Sequence, residues 1–292
     1  MTVKTHTLNL SLALTLCCSL LCGCNPLYIL NGLTPTSGFN RLQDVQYGDL
    51  PRQKLDVYIP AAATEKMPVV IFFHGGGWSS GDKDLYMYIG EAISSLGFVA
   101  VLPDYRLYPE VRFPRFVEDG AAAVAWVQHN IAAHGGDPGN VILMGHSAGG
   151  HIAAMLALDE HFLRDAGANA PQGLIGLAGV YDFLPLLSDY FGDIFAPPES
   201  YPLSQPVNFI DGSEPPVLLL HGSKDRRVPV ISSRKFETRI RERGGCAKTV
   251  VYPELDHATL TWSLSVPYRK PEVMEEIRNF VRERMQCVTK QD

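Results

Sequence analysis

Gly145-His146-Ser147-Ala148-Gly149-Gly150 is the part of this 292-residue chain where residue types and spacing point most directly to chemistry. It follows the apolar run 141–144 and opens the alanine-rich stretch 148–158, so the serine falls at a turn between a strand and a helix. Where strand and helix nearly touch, the positions two residues either side of the serine must be small, and Gly145 and Gly149 meet that demand. A serine hydroxyl attacks a carbonyl only when a base takes its proton, and a carboxylate must orient that base. Two later strand ends offer these groups in order. Run 217–220 leads into His221-Gly222-Ser223-Lys224-Asp225, and run 249–252 leads into Pro253-Glu254-Leu255-Asp256-His257. We read Asp225 as the orienting acid and His257 as the base. Asp182, Glu254 and Asp256 are rival carboxylates, and His221 is a rival imidazole better suited to a hydrogen-bonded structural role.

Attack on a carbonyl creates an oxyanion, which needs backbone donors already aimed at it. His74-Gly75-Gly76-Gly77-Trp78 follows the apolar run 69–73, and its glycines leave main-chain N–H groups uncovered. The expected donors are Gly75, Gly76 and the amide of Ala148, with Gly77 shaping the loop and His74 and Trp78 bracing it. Segment 181–211 carries Phe183, Tyr190, Phe191, Phe195 and several prolines without a period, as a lid or pocket wall would. Trp78, His146, Phe183 and Phe191 are the candidate pocket residues.

These groups need a scaffold that brings several strand ends together. Apolar runs at 55–59, 69–73, 99–102, 141–144, 174–178, 217–220 and 249–252 alternate with helical patterns at 117–132, 148–158, 231–243 and 271–285. Runs this apolar suit strands buried on both faces, so the expected fold is α/β, a mostly parallel central sheet with helices on each side. A chain that is 46% hydrophobic and 19% charged can bury one large domain of this kind. A net charge of -6 gives no electrostatic reason to bind nucleic acid or anionic headgroups. The nine histidines are scattered, without H-E-x-x-H or another metal-ligand spacing, and the chemistry above calls for no cofactor.

The amino terminus stands apart. Lys4 precedes a largely apolar run, 8–21, that ends in Leu21-Cys22-Gly23-Cys24, a signal-peptide layout over residues 1–23 whose end resembles a bacterial lipobox. Cys24 is then the lipidated first residue of an exported, membrane-anchored lipoprotein. An ordinary secretory signal or an uncleaved anchor are the alternatives. Residues 24–43, rich in Pro, Gly, Thr and Asn, read as a tether, and 44–292 as the folded body. Four of six cysteines lie in the leader, and Cys246 and Cys287 remain as a disulfide or as two thiols.

Together, His74-Gly75-Gly76-Gly77-Trp78, Asp104-Tyr105-Arg106-Leu107, Pro109-Glu110, Gly136-Asp137-Pro138, the serine turn and His221-Gly222-x-x-Asp225-x-x-Val228-Pro229 resemble the α/β-hydrolase superfamily, from about Asp44 to Met285. Within it they are similar to HGGG-type esterases related to hormone-sensitive lipase. His146 in place of the usual Asp, the lack of a large cap, and Gly179-Val180-Tyr181-Asp182 are closer to the feruloyl-esterase-like, isoprenylcysteine-methylesterase-like and kynurenine-formamidase-like branch. The resemblance implies a small or absent cap and a serine carboxylesterase that hydrolyses small carboxylic esters through an acyl-enzyme on Ser147. It also implies structural roles for Asp104, Arg106 and Asp137, in an Arg-carboxylate network. An amidase or peptidase of the same fold and a non-catalytic surface-binding protein are the competing readings.

Overall fold

The computed structural model describes residues 25–62, 66–186 and 188–283, so the leader, Cys24 and Cys287 lie outside the described residues. Eight strands form one sheet: β1 (Phe39–Gln46), β2 (Lys54–Pro60), β3 (Met67–Phe73), β4 (Val99–Pro103), β5 (Gly136–His146), β6 (Gly173–Leu177), β7 (Val217–Gly222) and β8 (Ala247–Tyr252). Their order is β1-β2-β4-β3-β5-β6-β7-β8. β2 is antiparallel to both its neighbours, and β4, β3 and β5 through β8 run parallel.

The helices are α1 (Pro26–Gly32), α2 (Met87–Ser95), α3 (Arg115–Asn130), α4 (Ala148–Leu158), α5 (Glu160–Asp165), α6 (Asp189–Phe195), α7 (Ile231–Glu242), α8 (Thr259–Trp262) and α9 (Pro271–Glu283). Side chains alternate across the sheet, so each central strand feeds two cores. Val69, Ile71 and Phe73 of β3 join one cluster, which also holds Val124 of α3, Ile152 of α4 and Phe236 of α7. Val70 and Phe72 join the other, with Ile89 of α2 and Ile277 of α9. Val141 and Leu143 against Ile142 and Met144 of β5 repeat the division. This two-faced burial is why the runs are apolar throughout rather than alternating.

The seven apolar runs all become strands, β2 through β8, and the four helical patterns become α3, α4, α7 and α9. The boundary at residue 44 differs from the structure. β1 already begins at Phe39, and α1 occupies Pro26–Gly32, with Leu30 buried at 3% exposure, so much of the expected tether belongs to the folded body. β1 escapes a pattern search because it is an antiparallel edge strand of sequence FNRLQDVQ with little buried surface. Its Arg41 instead pairs with the buried Asp56 of β2 and with Asp84. Cys246 is disulfide-bonded.

Candidate active site

Ser147 follows directly on β5 and caps α4 with φ 55° and ψ −118°, a left-handed conformation that costs a non-glycine residue energy. The surroundings enforce it. A Cβ on Gly145 would lie 2.2 Å from the Gly149 carbonyl oxygen, and one on Gly149 would lie 2.0 Å from the Phe73 carbonyl oxygen. The Ser147 amide donates to the Leu177 carbonyl of β6 at 3.0 Å, pinning the turn across the sheet. The serine side chain is thereby held at the carboxyl ends of the strands, where α/β sheets place their ligands.

Asp225 and His257 sit in the loops after β7 and β8. These loops touch so closely that a Cβ on Gly222 would lie 2.2 Å from the Leu255 carbonyl oxygen. His257 Nδ1 lies 2.7 Å from Asp225 Oδ2. Asp225 Oδ1 accepts from the Arg227 and Val228 amides, each at 2.9 Å. Burial alone would raise its pKa, but the hydrogen bonds from His221, His257 and Val228 outweigh burial and hold the carboxyl well below its usual range. Asp225 is thus a carboxylate that fixes the His257 ring with its Nε2 directed away from the acid.

The rivals are engaged elsewhere. His221 is fully buried between Ser233 Oγ, 2.8 Å from its Nδ1, and the Val228 carbonyl, 2.8 Å from its Nε2. Glu254 pairs with Lys224 at the surface, and Asp256 accepts from the Ala258 and Thr259 amides at the start of α8. Asp182 borders the same cavity as Ser147 but is exposed. Arg106 forms its bidentate pair with Asp119, at 2.8 and 2.7 Å. Asp104 instead accepts from the Lys83 amide and meets Arg52 and His74. Asp137 is remote, at the start of β5, where it caps the Gly139 amide.

The glycine loop lies beside the serine. Gly76 has φ +133°, and a Cβ there would meet the Ser80 carbonyl oxygen at 1.9 Å, so only glycine fits. The Gly76 carbonyl turns away to accept from the Ser80 amide and hydroxyl, at 3.0 and 2.9 Å. Burial raises the phenol of Tyr86 to about 12 against a hydrogen bond from the Gly75 backbone, which puts that hydroxyl beside the loop. His74 packs under this loop against Tyr105, ring centroids 4.4 Å apart.

A cavity of roughly 1280 Å³ opens over these groups, lined by Gly75, Gly76, Trp78, His146, Ser147, Ala148 and His257 together with Phe183 and Phe191. All the expected catalytic, donor and pocket residues except Asp225 therefore border one space, and Asp225 stands behind His257. His146 is nearly enclosed. Its Nε2 donates to the His257 carbonyl at 2.9 Å, and burial, then the nearby His257, push its pKa down to about 3. It supports the base's backbone more than it offers a surface. Sequence reasoning missed Leu27 of α1, Tyr86, Arg227 and Trp262 of α8, which also line the cavity. Nothing in their spacing marks them, because each reaches the cavity from an irregular or very short element.

The parallel sheet, the strained serine turn and the acid and base on successive strand-end loops define an α/β-hydrolase fold. Residues 55–240 match the BD-FAE family, and the chain belongs to it. It is 30% identical over 243 residues to a probable isoprenylcysteine alpha-carbonyl methylesterase of Arabidopsis thaliana, covering 75% of this chain and 51% of that protein. It is 30% identical over 259 residues to the esterase LipQ of Mycobacterium tuberculosis, covering 82% of this chain and 61% of that one. The chain thus spans about half to three-fifths of these relatives' length. Among solved structures, a Lactobacillus rhamnosis esterase B inhibited by a tributyrin phosphonate shares the fold, with a TM-score of 0.76 at 21% identity over 95% of this chain and 96% of that one. A hyperthermophilic esterase from Pyrobaculum calidifontis superposes with a TM-score of 0.71 at 24% identity, covering 88% of this chain and 89% of that one.

Proposed function

We propose that this protein is a serine carboxylesterase that hydrolyses small carboxylic esters through an acyl-enzyme on Ser147. The observation that carries the reading is the 2.7 Å contact of His257 Nδ1 with Asp225 Oδ2 at the rim of a cavity that Ser147 also lines. His257 Nε2 takes the Ser147 proton as the hydroxyl attacks the ester carbonyl, then returns it to the leaving alkoxide. Water repeats the sequence in reverse to free the acid. The amides of Gly75, Gly76 and Ala148 receive the oxyanion. The esterase names carried by similar proteins support the ester as substrate.

Incubation of the full chain with p-nitrophenyl acetate and butyrate and a fluorophosphonate probe tests the reading. Turnover and labelling that both disappear in Ser147→Ala are expected. A parent protein that neither turns over esters nor labels refutes it, and faster hydrolysis of matched amides replaces the esterase by an amidase.

We further propose export and acylation at Cys24, which lies outside the described residues. The support is the sequence Leu21-Cys22-Gly23-Cys24 behind a basic and apolar leader. Among the described residues no helix is long and apolar enough to cross a membrane. Mass spectrometry of the amino-terminal peptide from a bacterial host decides: a diacylated Cys24 is expected, and an unmodified Cys24 or cleavage elsewhere refutes it.

A further inference from the structure

The cavity wall nearest the chain's amino terminus is α1. Asn25, Pro26 and Leu27 line the cavity that holds Ser147, so the active site opens directly beside the point where the described chain begins. Consecutive Cα atoms are about 3.8 Å apart, so whatever holds Cys24 also holds the cavity mouth. The apolar surface is distributed accordingly. Of the ten large hydrophobic side chains that the described residues expose, one lines the cavity and five more belong to the segments that line it or pack on a lining residue. Leu184 lines the cavity, and Tyr28, Tyr190 and Ile231 are chain neighbours of the lining Leu27, Phe191 and Ser232. Ile29 follows Tyr28, and Tyr268 packs on the lining Trp262 with ring centroids 6.4 Å apart. Scattered exposed apolar groups are ordinary, but exposed apolar groups concentrated on the segments that build one opening are what an interaction surface requires. α1, Pro26–Gly32, adds no charge to it and leaves Tyr28 and Ile29 64% and 46% exposed.

We propose that the mouth of the active-site cavity docks on a lipid bilayer, so that the enzyme draws esters dissolved in the membrane rather than free in water. The proposal rests on acylation of Cys24 for the placement of the mouth. The exposed apolar residues of the lining segments supply the second contact: the anchor fixes the distance from the membrane, and Tyr28, Ile29, Leu184 and Tyr268 fix which side faces it. Tyr28 and Tyr268 suit the headgroup boundary, with an apolar ring and a polar tip. The cavity is far larger than an acetate or butyrate ester needs, and its lining by Trp78, Phe183 and Phe191 accommodates an alkyl chain entering from that side.

Tryptophan quenching tests the orientation without any turnover. The chain has three tryptophans, Trp78, Trp126 and Trp262. Full-length Ser147→Ala protein in phosphatidylcholine vesicles with brominated acyl chains should be quenched, and Trp262→Phe should remove at least about half of that quenching while Trp126→Phe leaves it unchanged. Quenching that is absent, or that survives Trp262→Phe, overturns the docking. A second variant, Tyr28→Ser with Ile29→Ser and Tyr268→Ser, should slow hydrolysis of a long-chain ester in the vesicle at least about 10-fold while p-nitrophenyl acetate hydrolysis stays within about 2-fold. Equal loss on both substrates, or none on either, also overturns it. The amino-terminal mass separates the two readings. Quenching through Trp262 with an unmodified Cys24 removes the anchor and leaves the docking, whereas an acylated Cys24 without such quenching removes the docking and leaves the anchor.

Discussion

The two walls of the cavity are built on different principles. The floor, made of the Ser147 turn, the Gly75–Gly76 loop and the Asp225–His257 pair, is held by backbone against backbone: Gly145, Gly149 and Gly222 each stand where a methyl group would fall within about 2.2 Å of a carbonyl oxygen. A second wall, from Tyr181 through α6 to the short 3-10 turns ending at Phe209, is tied by a few backbone bonds such as Phe113 to Ile194 and Val207 to Tyr181, and otherwise packs through side chains. Trp78, Phe183, Phe191 and Phe195 pack ring on ring there, with Trp78 centroids 4.9 to 6.2 Å from the three phenylalanines. Backbone contacts admit one geometry and side-chain packing admits several, so on the proposed function the floor should govern the reaction and the wall the choice of substrate.

The sharpest test of that division begins on the floor. Ser147→Ala should lower kcat by about 10⁴- to 10⁶-fold for every ester, without shifting the melting temperature downward, because it relieves no contact beyond the hydroxyl. Asp225→Asn should cost about 10⁴-fold in kcat, since an amide presents the wrong partner to His257 Nδ1. Both are read from steady-state rates on short and medium p-nitrophenyl esters. A loss that varies strongly with acyl length would blur the two walls. Gly76→Ala comes next. The φ of +133° and the Ser80 carbonyl at 1.9 Å force the loop to move, and misplacing one or more oxyanion donors should cost about 10²- to 10³-fold in kcat with KM little changed.

The same division explains how much was legible in the sequence. The floor could be read because its demands are local: a buried strand such as Val141–Met144 is apolar throughout, a turn that touches backbone must use Gly145 and Gly149, and acid and base follow strand ends. The wall could not be, since residues 181–211 combine a short helix with 3-10 turns that start at Pro198, Pro202 and Pro206 and have no period. α2 was invisible for a related reason. It buries Tyr88, Ile89, Gly90, Glu91, Ala92, Ile93 and Ser94 almost all round, and Gly90 is there because a Cβ would strike the Tyr58 ring at 2.6 Å, not because a helix favours glycine. At β1 and α1, polar and turn-forming residues concealed elements that are held by Arg41 and its carboxylates and by Leu30.

On the wall, effects should be smaller and dependent on the substrate. Phe183→Ala widens the cavity beside Trp78, whose ring centroid is 5.8 Å away, and should raise KM for butyrate about 3- to 10-fold while kcat for acetate stays within about 2-fold. A uniform loss of kcat across acyl lengths would mean that the wall also orients the floor, and the division would fail.

The smallest effect belongs to the residue that ties the two walls together. His151 of α4 is fully buried; its Nδ1 accepts from Trp78 Nε1 at 3.2 Å and its Nε2 donates to the Ser204 carbonyl at 2.8 Å. That pairing requires the neutral ring. Burial, against the bond to Ser204, pushes its pKa down to about 4, as burial does for His146. A histidine whose folded pKa lies below its unfolded value binds fewer protons when folded, so stability is complete above about pH 6.5 and falls as pH drops toward the folded pKa. Each such histidine should contribute a slope of up to about 1.4 kcal/mol per pH unit in that window. Urea unfolding at pH 7.5, 6 and 5 should therefore show losses beginning well above the carboxylate range, and His151→Gln, which stays neutral, should flatten the slope by one histidine's share. On activity at pH 7.5 the same substitution should change KM for butyrate about 2- to 5-fold, because Trp78 loses its acceptor, and leave kcat for acetate nearly intact. An unchanged slope would show that His151 is not held neutral, and a kcat loss as large as that of Gly76→Ala would place His151 with the floor.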